Sequence, residues 1–129
     1  MPMSDKTFVF SDAINSFYII ELYAGDYVMI EETFTDVLLE YDSFVQKINT
    51  CFREEDVTAL KSAVHKIKPL FGFVGLTELQ SQCLQFENSC LHADFVKLED
   101  KFTSLKANML QAKSIIENEK VRLESFNNQ

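Results

Sequence analysis

The sequence predicts an all-α fold, an antiparallel up-down-up-down four-helix bundle preceded by one short additional helix. Three observations carry this. Of 129 residues, 47% are hydrophobic, only three are glycine and two are proline, and long stretches hold neither of those two, a composition suited to helices rather than to a turn-rich sandwich. Apolar residues recur at steps of three and four instead of alternating. Residues that cap helices stand between the periodic stretches. The length fits a single domain, 1–129, able to bury one core without metal or disulfide. Its ends, 1–10 and about 124–129, are expected to be loosely ordered.

Each element has its own justification. Met1-Pro2-Met3 begins a tail, and Phe8-Val9-Phe10 is an apolar segment with some docking place. Ser11 and Asp12 are cap candidates for a short helix ending near Ala24, with Gly25 as its stop. Asp26 can cap the next helix, whose positions Tyr27, Ile30, Phe34, Val37, Tyr41, Ile48 and Phe52 keep the helical period for about seven turns. Asp56 follows an acidic turn and can cap a third helix with Val57, Leu60, Val64, Ile67, Phe71 and Val74 on its buried side. Thr77 and Gln80 have the spacing of a capping box for a fourth helix, with Leu79, Cys83, Phe86 and Cys90 inward. Asp94 can cap the last helix, whose stripe from Phe95 to Leu123 has one longer gap after Ile116. Short connections imply antiparallel neighbours.

Charge and motif content exclude several functions. Twenty acidic against twelve basic residues give a net charge of −8, which repels nucleic acid and anionic membrane surfaces. Cys51, Cys83 and Cys90 are odd in number without CxxC spacing, the pattern of buried free thiols rather than of a disulfide framework or zinc site. Neither a signal peptide nor a run of 18 apolar residues occurs, so the expected location is cytoplasmic. The chain has no GxxxxGK[ST] loop and no GxGxxG motif, which argues against an ATP-dependent kinase. Glu31-Glu32 and Glu54-Glu55 read as solvated helix charges. His92, in a turn without flanking lysines, reads as a loop histidine.

One stretch concentrates chemistry. At about 100° per residue, His65 points away from the buried stripe of the third helix, in company with Lys61, Lys68, Pro69 and Gly72. An exposed imidazole is mostly neutral at pH 7 and keeps a nucleophilic nitrogen. Lys61, Lys66 and Lys68 place ammonium groups where a phosphoryl group on that nitrogen would meet them.

The run His65-Lys66-Ile67-Lys68, followed by Gly72 and then by Gly75-Leu76, resembles the signature of histidine-containing phosphotransfer (HPt) domains. The resemblance extends to the spacing from Asp56 through Leu60 to His65 and to the helix from Leu79 to Glu87. It implies a helical bundle that carries a phosphoryl group on His65 and exchanges it with aspartates of response-regulator receiver domains, with a hybrid histidine kinase as a further candidate partner. Lys68 would stabilise the phosphoryl charge, Lys61 and Lys66 would support it, Gly72 would lower the steric profile, and Gly75 would serve the turn. The carrier would act as a monomer without a metal or cofactor of its own, the receiver supplying a divalent metal ion. Pro69, Leu70 and Phe71 stand where the family carries glycine and small residues. Pro69 lies four residues after His65 and removes the amide that would bond the His65 carbonyl, so a kink or an early helix end is expected there. Leu70 and Phe71 bring bulk, although Phe71 falls on the buried stripe. The alternative is a non-catalytic, HPt-like adaptor using the same face.

Overall fold

A computed structural model describes residues 6–129. They form five helices and no strand: α1 (Ser16–Leu22), α2 (Tyr27–Arg53), α3 (Val57–Phe73), α4 (Thr77–Cys90) and α5 (Phe95–Asn127). The side chains of Asp26, Asp56 and Asp94 accept the backbone N–H of Met29, Ala59 and Lys97, each at 3.0 Å. Such caps satisfy donors that the first helical turn leaves free, at about 1 kcal/mol apiece.

Two helix starts differ from expectation. The cap of α1 is Asn15, which accepts from the Tyr18 N–H, while Ser11 forms a turn through its carbonyl to Ile14 N–H at 3.0 Å. Ile14 is buried there, so the chain dips into the core before the helix can begin. Thr77 is the first residue of α4 rather than its cap; Leu76 holds the cap position without a side-chain hydrogen bond. Leu76 is buried and the Gln80 side chain lies over Gly72, so neither half of the capping box forms.

α2 packs on α3, α3 on α4, α4 on α5, and α5 closes back on α2. Phe34, Tyr41, Leu60, Ile67, Phe71 and Met109 lie wholly inside this ring. The Tyr41 hydroxyl donates to the Met109 carbonyl, and Phe52 stacks on Phe102 with ring centroids 4.0 Å apart. Cys51 and Cys83 are buried and Cys90 half-buried, all as free thiols.

Both ends are better packed than expected. Phe8 and Phe10 are buried, and Phe8 meets Phe126, which in turn meets Tyr27 at 5.3 Å. Arg122 Nη2 donates to the Val9 carbonyl at 2.7 Å, and its guanidinium lies 4.7 Å from the Phe8 ring centre. The gap in the α5 stripe is filled by Glu119, buried, paired with Arg122 and accepting the Ser11 N–H at 2.9 Å. Helix α5 therefore continues to Asn127 instead of loosening at 124. Of the start expected to be loose, residues 1–5 lie outside the described residues.

Candidate functional site

Helix α3 sets the site. Leu60, Val64, Ile67 and Phe71 turn inward, which leaves His65, Lys66, Pro69 and Phe73 on the outside. The helix does not end at Pro69 but runs four residues further. Pro69 sits on the exposed face, where the carbonyl that loses its helical partner is not trapped in apolar surroundings. Leu70 is buried beside Phe71, so the bulk expected near the histidine goes into the core.

The His65 side chain is 67% exposed, yet it is held. Its Nδ1 lies 2.7 Å from Oε1 of Glu87, a residue of α4 whose side chain is only 7% exposed. Lys68 Nζ lies 2.8 Å from the other oxygen, Oε2, as a charge contact without hydrogen-bond alignment. Lys68 Nζ is also 3.4 Å from His65 Nδ1, but one ring nitrogen cannot donate and accept at once. An ionised carboxylate only accepts, and the shorter contact decides that Nδ1 carries the proton and donates to Glu87. The unprotonated nitrogen, Nε2, is then the nucleophilic one.

Glu87 is the residue that sequence reasoning missed. Its signal was present: it stands four residues after Cys83 and eight after Leu79, a carboxylate on an apolar stripe. Burying a charge there is costly unless it is paired, and His65 and Lys68 provide that pairing across the α3–α4 interface.

The remaining candidates separate. Lys61 shares an open basin of about 340 Å³ with Thr58, Ser62, His65 and Glu87. Lys66 lies instead on the α2 side, lining a groove with Ser43, Phe44 and Lys47. Gly72 is buried, and a Cβ there would come 2.6 Å from Gln80 Nε2, so its small size serves the α3–α4 contact. Gly75 takes φ +76°, and a Cβ would fall 2.8 Å from both Ile14 and Ile19, so it admits α1 to the α3–α4 turn. His92 is exposed in the turn after α4. A more spacious groove of about 560 Å³ between α2 and α5 holds none of the candidate site residues.

Beneath the site, burial pushes the Cys83 thiol up to about 12, with the Glu87 charge adding to the effect and Lys68 opposing it. Burial likewise raises the Cys90 thiol. Neutral thiols are poor nucleophiles and metal ligands, and the described residues contain no cluster of His, Cys, Asp or Glu suited to a metal ion. No described helix is long and apolar enough to cross a membrane.

No curated protein matches the chain. Among solved structures it is similar to the HPT domain from the Hpt sensor hybrid histidine kinase from Shewanella, at 17% identity with a TM-score of 0.75, covering 85% of this chain and 95% of that one. The fold is therefore that of an HPt domain. A family model described as Hpt domain matches residues 32–115, a span that holds His65, Lys68 and Glu87 and leaves α1 outside. With more than half of its length matched, the chain belongs to the Hpt domain family, whose members are phosphocarriers in two-component signalling rather than enzymes.

Proposed function

We propose that this protein is a phosphorelay carrier that accepts a phosphoryl group on Nε2 of His65 and passes it on, exchanging it with aspartates of response-regulator receiver domains. One observation carries the reading: an exposed imidazole whose inner nitrogen is engaged by a buried carboxylate. In the accepting step Nε2 attacks phosphorus in line, the P–N bond forms, and the P–O bond to the receiver aspartate breaks with its electron pair leaving on the carboxylate. The ring keeps its Nδ1 proton and becomes cationic, and Glu87 lies against that charge. Reversal of the same step returns the phosphoryl group to an aspartate. Phosphoryl transfer depends mainly on positioning and charge stabilisation, so a carrier needs little further machinery. The divalent metal ion and the acyl phosphate come with the receiver. Lys68 serves the phosphoryl charge and holds Glu87 in place.

Contacts in which residue numbers rise along one helix as they fall along its neighbour, Tyr27 with Asn127 and Tyr41 with Met109, then His65 with Glu87 and Gly72 with Gln80, support an antiparallel up-down-up-down bundle. The carrier that we propose acts as a monomer with its site on one helix face. Receiver docking extends from His65 past Pro69 and Phe73 to Phe17, Tyr18 and Leu22 of α1, all of them exposed or nearly so. The location that we propose is cytoplasmic, where receivers and a hybrid histidine kinase would be met.

The adaptor alternative draws on Pro69, the one unusual residue of the signature that stays on the surface. Phosphorus NMR after treatment with phosphoramidate or a phosphorylated receiver separates the two readings. The carrier gives an acid-labile phosphohistidine signal that His65→Gln abolishes. A receiver that binds the wild type and His65→Gln equally well, with no such signal in either, would establish the adaptor.

A further inference from the structure

We propose that Lys61 is the free cation over the transferred phosphoryl group, a catalytic role alongside Lys68; the assignment rests on the carrier reading above. Lys68 already shares its charge with Glu87, 2.8 Å away. Lys61, by contrast, has no carboxylate within ion-pair distance among the described residues. It borders the same open basin as the imidazole, together with the hydroxyl-bearing Thr58 and Ser62.

Helix geometry sets the two residues on one face. Lys61 precedes His65 by four residues, one turn on the same face. A helical side chain leans back over the turn on its N-terminal side, which for His65 is the turn of Lys61 and Ser62. Lys68 approaches the ring at Nδ1, the nitrogen that Glu87 occupies. In the transfer the phosphoryl group moves from the aspartate oxygen to Nε2 while its three equatorial oxygens keep their negative charge. An ammonium with no competing carboxylate stabilises that charge more than one already paired. The Thr58 and Ser62 hydroxyls offer neutral donors in the same basin.

The test uses the full chain and phosphoramidate as donor, from which attack by Nε2 breaks the P–N bond and releases ammonia. Lys61→Ala is expected to slow the appearance of phosphohistidine about tenfold, a modest loss because solvent screens an open site. Lys61→Arg is expected to recover most of the rate, with thermal unfolding of both variants close to wild type. A phosphorus NMR pH titration adds a readout that a packing role would not move: without the ammonium, the second ionisation of the phosphoryl group shifts to higher pH. Equal rates and equal titrations in wild type and Lys61→Ala would overturn the assignment, as would an arginine variant no better than alanine. If the wild type takes no phosphoryl group from phosphoramidate or from a receiver, the carrier reading itself fails, and the missing wild-type signal distinguishes that result.

Discussion

At His65, exposure and constraint come from different partners. The ring reaches solvent because α3 turns it away from the core, and it is held because a buried carboxylate on α4 accepts its Nδ1 proton. A histidine side chain free in water favours the opposite tautomer, with the proton on Nε2, so Glu87 chooses which nitrogen is nucleophilic. Glu87→Ala should therefore shift the His65 ring nitrogens toward the Nε2-protonated pattern in nitrogen NMR above pH 8. Phosphoryl acceptance should slow by at least about tenfold, the scale seen when a group that orients a histidine is lost. Unchanged ring shifts in that variant would show that the contact does not set the tautomer.

At the scale of elements, the turn between α3 and α4 decides where α1 sits. Gly75 combines a left-handed backbone with a surface on which Ile14 and Ile19 rest, and its carbonyl accepts the Asn15 N–H at 2.8 Å. Gly75→Ala adds strain at positive φ and a clash with two buried isoleucines, and should cost about 2 kcal/mol or more, read as a lower midpoint in urea unfolding. Much of this architecture was legible beforehand. Asp26, Asp56 and Asp94 mark helix starts because an aspartate before an apolar period has few other uses. The stripe of α3 placed His65 outward. Thr77 and Ser11 misled, because a local capping pattern says nothing of a neighbour such as Leu76 or Ile14 that must be buried. Glu87 stayed hidden for a related reason: its value depends on residues 22 and 19 positions earlier in the chain, and no helical period links the two helices.

Across the whole molecule, the family match of 32–115 covers the ring of helices around the histidine, and the chain adds a clasp beyond both limits. Phe8, Val9 and Ser11 on one side meet Glu119, Arg122 and Phe126 on the other. Sequence patterning indicated loose ends at both places, because an isolated aromatic segment and a Glu- and Lys-rich helix end each look solvated when read alone. They become structure only as a pair, with Glu119 burying its charge against Arg122.

That clasp also bears on the order of folding. Its hydrogen bonds join residues 108 and 113 positions apart, whereas α2, α3 and α4 reach their next neighbours through short turns. Closing so large a loop is entropically unfavourable until the helices between have docked, which places the clasp on the native side of the folding barrier. Arg122→Ala should accordingly accelerate unfolding by about tenfold or more while leaving the refolding limb of a stopped-flow chevron nearly unmoved. A matching drop in the refolding rate would put the clasp in the folding nucleus instead. The two ends of the chain would then act chiefly as a latch on the lifetime of the folded state, with little influence on how quickly it is reached.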